Sequence, residues 1–366
     1  MNSSTPQTPG TVCFIAGRSG GHLIPALTLA ERHKDQFPDD EIVFFSTNTS
    51  LDCRILQESK RKVIDEYITF DLDNVPHRLL EYPAYAFKVL KVFCYAFKFF
   101  YTRKPKKIVS TGGYISVPIC YAAYLVRVYI ELHEFNVIPG QAIKLMSKFA
   151  NRVFISFGEA SIQLRSVACS LVGYPVRFPP AMREWPQEVV VTGIELSSVR
   201  KTLFIVGGSQ GSLFINGLIR EWVLRNHEYY HLLQIIHQTG SQDPFNWKEF
   251  YNQLGIPAIV FDFSDHVEHY YLAADLIVNR AGAGTLFEIL FFPRKSITIP
   301  LESPTTDHQV ANAEAIAAIY PHVFTIFKQS DITKDPTDLF KKMTEHLFLQ
   351  PKPSYRTITR TFTRFT

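Results

Sequence analysis

No stretch of this 366-residue chain stays apolar for the ~18 residues that a membrane-spanning helix needs. The best uninterrupted run, Val117 to Val126, is stopped by Arg127. The opening MNSSTPQTPG lacks the apolar centre of a secretory signal. Cysteine is scarce and scattered. Cys13, Cys53, Cys94, Cys120 and Cys169 form an odd set with no CxxC pair. This argues against a disulfide framework or a zinc site and fits a reducing compartment. Charge is also low, at 20% of residues with a net of +4, so composition gives no argument for a nucleic-acid partner. Hydrophobic residues reach 46%, too many for a disordered chain. At roughly 150 residues per domain, the length suggests two domains.

Short β-branched and aromatic runs recur along the chain. They are Thr11–Ala16, Glu41–Ser46, Lys107–Ser110, Val128–Leu132, Arg152–Phe157, Thr202–Val206, His231–His237, Ala258–Phe261, Leu276–Val278, Ser296–Pro300 and Val323–Phe327. Most are apolar on both faces and alternate with helix-like sequence, an α/β pattern with parallel strands. Two of them run into glycine-rich turns, at Gly17 (GRSGGH) and Gly207 (GGSQGS). The chain thus opens a nucleotide-fold half twice. The proline-bearing stretch from Gly173 reads as a linker. The expected domains are 1–175 and 176–349. The tail, 350–366, carries Lys352, Arg356, Arg360 and Arg364 and no acid. It reads either as a frayed basic tail or as a last helix packed back on the first domain.

A strand, glycine turn and helix together place backbone N–H groups where an anion can sit. GRSGGH is not GxGxxG, and no acid is obviously placed for a ribose, so a dehydrogenase is a weak reading. GGSQGS lacks the lysine of a phosphate-binding ATPase loop. Alone, each turn is more often tight packing than a site.

The combination is more specific. After the first turn come STGGYISVP (Ser110–Pro118), ELHEFNVIPGQ (Glu131–Gln141), VGYPVR, VGGSQGSLFIN (Val206–Asn216), IIHQTG (Ile235–Gly240), DLIVNRAGAGTLFEIL (Asp275–Leu290) and DHQVANA (Asp307–Ala313). In this order and spacing the series resembles the MurG family of GT-B glycosyltransferases. These enzymes add N-acetylglucosamine to lipid I in peptidoglycan synthesis.

The resemblance implies two doubly wound domains facing a cleft. It implies UDP-GlcNAc mostly on the C-terminal domain and lipid I, the undecaprenyl-linked acceptor, on the N-terminal one. It implies no cofactor and no metal. By position, Arg177 and Ser209 approach the diphosphate, and Ser264 meets uracil through its backbone. Ala283, Gly284, Thr285, Leu286, Phe287 and Glu288 open a helix under the nucleotide, with Glu288 on the ribose hydroxyls. Gln309, Asn312 and Asn216 hold the sugar. Ser19, Gly20, Gly21 and Asn136 close over the donor from the first domain. These residue types suit the chemistry. An anionic leaving group wants Arg, N–H groups and helix dipoles. Sugar hydroxyls suit amides, which donate and accept.

In an inverting transfer one base suffices, and His22 is the candidate, since an imidazole titrates near pH ~6.5. The alternatives for His22 are capping a helix turn or binding a phosphate. Glu134 and His133 are competing acid/base candidates. The alternative for Glu288 is an ordinary acid near a helix start. Two metal readings are poor: the DxD of Asp71 and Asp73, and His266 and His269 with Asp265 and Glu268. Relative to the family's usual motifs, the chain departs at Arg18 in the first turn, Phe135 in HEFN, Tyr174 in GYPVR and Val117 in GYISVP. Rival functions are a UDP-sugar glycolipid synthase with a diacylglycerol acceptor, an inactive nucleotide-sugar-binding protein, and a sugar-nucleotide epimerase of the same fold.

Aromatic residues cluster between Leu79 and Lys107. From Arg78 to Lys107, eight Lys and Arg accompany one acid, Glu81. On a helix, Lys88, Lys91 and Lys98 fall within about 80° of one another. Such a helix can embed aromatics such as Phe93 and Phe97 while its lysines reach anionic headgroups. A mostly buried domain helix with a narrow wet stripe is the alternative. The expectation is a peripheral enzyme on the cytoplasmic face of the bacterial inner membrane, with the anionic membrane surface and cell-wall synthesis proteins as candidate partners and no nucleic acid.

Overall fold

The computed structural model describes residues 9–349, apart from 18, 59–62, 73–74, 77, 165–166, 186–189, 192, 209, 265 and 303–306. The basic tail, Arg18, Asp73, Ser209 and Asp265 therefore lie outside the described residues. The chain divides into two compact units, one ending at Arg177 and the other beginning at Phe178.

The first unit is built on seven parallel strands: β1 (Thr11–Ile15), β2 (Glu41–Thr47), β3 (Glu66–Phe70), β4 (Lys107–Ser110), β5 (Tyr129–Glu134), β6 (Arg152–Ile155) and β7 (Cys169–Leu171). Their order is β3-β2-β1-β4-β5-β6-β7. The second unit has six: β8 (Lys201–Val206), β9 (Leu233–Gln238), β10 (Ala258–Phe261), β11 (Leu276–Asn279), β12 (Ser296–Thr298) and β13 (Phe324–Ile326), ordered β10-β9-β8-β11-β12-β13. Both are doubly wound α/β sheets. In each, the strand order reverses beside the first strand, which opens a crevice at the carboxyl ends of β1 and β4, and of β8 and β11.

Interior strands carry apolar residues on both faces because helices cover both. In β1 and β2, Cys13, Ile15, Val43 and Phe45 pack into the core that also holds Val92, Phe99 and Ile119. Phe14 and Phe44, pointing the other way, are equally buried. The sequence runs miss β3 and β7, which are the two edges of the first sheet. EYITF is apolar on one face only, with Tyr67 exposed, and CSL is three residues long. Edge strands need less apolar sequence because one flank meets water.

The long helix of the basic segment runs Tyr82–Arg103, and only Val92, Ala96, Phe99 and Phe100 are buried. That is one stripe at i, i+4, i+7 and i+8. The dry face is narrow, the reverse of a buried helix with a wet stripe. Phe87, Leu90, Tyr95, Phe97 and Tyr101 are exposed. Phe93 sits between Phe97 and Tyr121, 6.0 Å from each ring. Lys98 is exposed, Lys91 lies 4.6 Å over the Phe87 ring, and Lys88 is tied to Asp71 at 3.0 Å. No described helix is long and apolar enough to cross a membrane.

In the second unit the turn after β8 rests backbone to backbone on the turn after β9. Gly211 has φ +75° and Gly240 φ +80°. A Cβ on Gly211 would run into the Thr239 carbonyl oxygen, and one on Gly240 into that of Gln210. Gly240→Ala therefore combines left-handed strain with overlap that neither backbone can yield to, and is expected to destabilise the second unit by about 2–4 kcal/mol. Denaturant unfolding of the variant reads this directly; an unshifted midpoint would show that the two turns part at little cost.

Candidate functional site

At the first unit's switch point the turns after β1 and β4 abut. Ser19, in extended conformation, precedes the helix Gly20–Gln36 and its carbonyl accepts from the N–H groups of His22 and Leu23. Gly20 is buried and Gly21 exposed. His22 Nδ1 donates to the Thr111 carbonyl at 2.7 Å, and Thr111 Oγ1 donates back to the His22 carbonyl at 2.9 Å. Gly112 and Gly113 both have positive φ. A Cβ on Gly112 would meet His22 Cε1, and one on Gly113 the Gly17 carbonyl oxygen. The second glycine motif thus makes room for the first and for the imidazole. With the proton fixed on Nδ1, Nε2 is the basic nitrogen of neutral His22.

The two competing acid/base candidates on β5 are interior. His133 is buried against Phe154, 4.8 Å between rings, and burial together with the Lys107 charge pushes its pKa down to about 3. Glu134 accepts from the Asn136 N–H at 2.8 Å, the Asn136 amide at 2.9 Å and the Gly140 N–H at 2.8 Å. Burial holds it above the usual carboxylate range despite these donors. It shapes the Asn136 loop and does not face outward as a base. Arg177 is half-buried, just past Val176, whose carbonyl accepts from Arg32 at 2.9 Å. Two of the family departures explain each other: Phe135 and Tyr174 form an aromatic pair with centroids 4.9 Å apart. A third, Val117, packs against the core.

In the second unit the helix Ala283–Phe291 starts at the switch point after β11, opened by Gly282. The N–H groups of its first turn have no carbonyl to meet within the helix. Ala283 and Leu286 are buried, and Gly284, Thr285 and Phe287 half-buried. Glu288, in the second turn and 8% exposed, accepts from the Tyr271 hydroxyl at 2.9 Å. Gln309 accepts from the Leu301 N–H at 3.1 Å, and Asn312, fully buried, reaches the Ala281 carbonyl at 3.4 Å. The two amides share a face at i and i+3 and bridge to the loops after β12 and β11. Ser264, half-buried after β10, accepts from the His266 N–H through its hydroxyl.

Asn216 is placed differently from the sequence expectation. It is 1% exposed and donates to the Thr239 carbonyl at 2.9 Å and to Asp243 at 2.7 Å, while its Oδ1 accepts from His237 at 3.0 Å. Both amide protons are used inside the fold. The residue pins the Thr239–Gly240 turn against the glycine turn and does not point at a sugar. Its partners were not legible: Tyr251 donates to His237 Nδ1 from 14 residues away, and Trp247 joins through Asp243. Tyr271 and Arg280 were also missed. Arg280, its pKa lowered to about 10 by burial, ties Ser212, which caps the helix Leu213–Arg225, to the Ile299 carbonyl and Gln329. His266 and His269 each lie near Glu268, at 3.6 and 3.7 Å. No group of three or more potential metal ligands occurs among the described residues.

Two family models match the chain: the glycosyltransferase family 28 N-terminal domain over residues 12–155 and the C-terminal domain over 202–362. The chain belongs to glycosyltransferase family 28. Its relatives include the UDP-N-acetylglucosamine–N-acetylmuramyl-(pentapeptide) pyrophosphoryl-undecaprenol N-acetylglucosamine transferase of Syntrophotalea carbinolica, 32% identical, covering 83% of this chain and 82% of that protein. The protein of the same name from Myxococcus xanthus is 29% identical over 88% of this chain and 81% of its own length. The crystal structure of Acinetobacter baumannii MurG superposes with a TM-score of 0.68 at 24% identity, over 93% of this chain and 92% of that one. The family 28 fold thus extends across both units.

Burial of His237 against Trp247 and Tyr251 lowers its pKa to about 3. The folded pKa lies below the unfolded value of ~6.5, so the unfolded chain binds more protons between the two. Stability is full above pH ~6.5 and falls as pH drops through this window, by about 2 kcal/mol per imidazole between pH 7 and 5. Denaturant titrations at those two pH values measure the loss, and His237→Gln should remove the second unit's share while His133 retains that of the first.

Proposed function

We propose that the chain transfers N-acetylglucosamine from UDP-GlcNAc to the 4-hydroxyl of the muramyl sugar of lipid I, with inversion, giving lipid II for peptidoglycan synthesis. The observation that carries this, within a family 28 chain, is the pair of switch-point constellations: His22 with its tautomer set by Thr111, and Glu288 held by Tyr271 behind a helix start.

The second unit takes the donor. Glu288 accepts from the ribose hydroxyls, and Tyr271 keeps its carboxylate in place. The helix opened by Ala283, Gly284 and Thr285 sets its positive end toward the diphosphate, joined by Arg177 and Ser209. Leu286 and Phe287 seat that helix, and Ser264 meets the uracil through its backbone. Gln309 and Asn312 hold the sugar, Asn312 also reaching the Ala281 carbonyl, and Asn216 fixes the turn beneath. The first unit supplies Ser19, Gly20, Gly21 and Asn136 for the reacting groups. His22 Nε2 takes the proton of the acceptor 4-hydroxyl as that oxygen attacks the anomeric carbon from the face opposite UDP. The bond from the anomeric carbon to the phosphate oxygen breaks, and its electron pair leaves with UDP. No step calls for a metal or cofactor.

The lipid-linked acceptor places the enzyme peripherally on the cytoplasmic face of the bacterial inner membrane. The exposed aromatics of the helix Tyr82–Arg103 support this, with Phe93, Phe97, Lys88, Lys91 and Lys98 as the contact set. An anionic surface contributes about 1 kcal/mol for each Lys or Arg near it.

A transfer assay with a lipid I analogue tests the roles. His22→Ala is expected to lower turnover ~10²-fold or more with donor affinity little changed. Near-normal turnover with weakened donor binding would make His22 a binding residue. Glu288→Ala is expected to weaken UDP-GlcNAc binding by about 1–3 kcal/mol. Unchanged affinity by calorimetry in the folded variant would take Glu288 out of the donor site.

A further inference from the structure

At the amino edge of the first sheet, opposite the glycine turns, lies a groove of about 510 Å³. Phe97, Tyr101, Leu125 and Tyr129 line it together with Lys104 and Arg127. Lys106 also lines it but is paired with Asp40 at 2.6 Å. No acid is among the lining residues. Lys104 and Arg127 are exposed and have no acidic partner among the described residues.

Their backbones are unusual. Three described non-glycine residues have positive φ, and two of them are Lys104 (+48°) and Arg127 (+60°). Each closes a helix: the Lys104 N–H meets the Phe100 carbonyl and the Arg127 N–H that of Tyr124. Such closing positions favour glycine, since a side chain there is strained. Two strained cations on one groove point to a use for their side chains. The apolar walls continue outward. Phe97 stacks on Tyr101, Phe93 joins Phe97 to Tyr121, and Tyr121 stacks on Tyr124.

We propose that this groove binds the phosphodiester headgroup of an anionic membrane lipid between Lys104 and Arg127, with the first chain segments lying along the exposed aromatics. The proposal rests on the membrane reading above and deepens it to a defined headgroup site. A competing explanation is that the two cations only complement the negative ends of their helices. Glycine separates the two, because it suits the backbone and removes the charge.

The test uses the full chain and the double variant Lys104→Gly/Arg127→Gly, with Lys104→Asn/Arg127→Asn as a second variant, since Asn also tolerates this backbone. Binding is measured to phosphatidylcholine vesicles with and without phosphatidylglycerol, beside a thermal melt. The expected result is a melting midpoint held or raised and affinity for the anionic vesicles about 10-fold lower or more. Inorganic phosphate at matched ionic strength should not release the parent protein; release would assign the groove to free phosphate and overturn the lipid proposal. Unchanged vesicle affinity, or a lowered midpoint in both variants, also overturns it. A control, Lys91→Glu/Lys98→Glu, separates the readings. If it alone releases the protein, the groove fails and the membrane reading stands. If no variant changes vesicle binding, both fail.

Discussion

The functional geometry depends on one steric constraint: in each unit the turn after the first strand is closely approached by the turn after a neighbouring strand, at glycines with positive φ. In the first unit Gly113 lies against the Gly17 carbonyl, and Gly112 against His22. In the second, Gly211 and Gly240 interlock. Because the turns are close, short hydrogen bonds can span them. Thr111 thereby sets the tautomer of His22, and Asn216 anchors the Thr239 carbonyl. Helix starts are then held facing the crevice, where exposed N–H groups can meet an anion.

The architecture was legible because a parallel interior strand must be apolar on both faces, and β1, β2, β8 and β11 are. It failed at β3 and β7, where an edge relaxes that demand. The candidate site was legible as positions along the chain, but its internal bonding was not. Motif spacing places Asn216 one turn into a helix; it does not say that His237 and Asp243 will claim its amide from the next strand and loop. Likewise Glu288 stands out within AGTLFE, whereas Tyr271, 17 residues earlier, is an ordinary apolar-helix tyrosine until the fold brings its hydroxyl to the carboxylate.

Departures from the family's usual motifs become interpretable once contacts are known. Phe135 and Tyr174 are far apart in sequence but form one edge-on pair. Val117 adds apolar contact to a helix already packed on the core. Between Val117 and Phe135 in the chain, Glu134 shapes the Asn136 loop through three hydrogen bonds.

The first unit also separates its tasks by sheet edge. The carboxyl ends of β1 and β4 carry His22 and its glycine turns, and the amino ends of β4 and β5 carry the aromatic groove with its two strained cations. The central claim is transfer to lipid I, and product analysis tests it most directly. The purified chain with UDP-GlcNAc and a lipid I analogue should release UDP and form a disaccharide-bearing lipid, while diacylglycerol is left unglycosylated. UDP release with no disaccharide product, or glycosylation of diacylglycerol in its place, would contradict it.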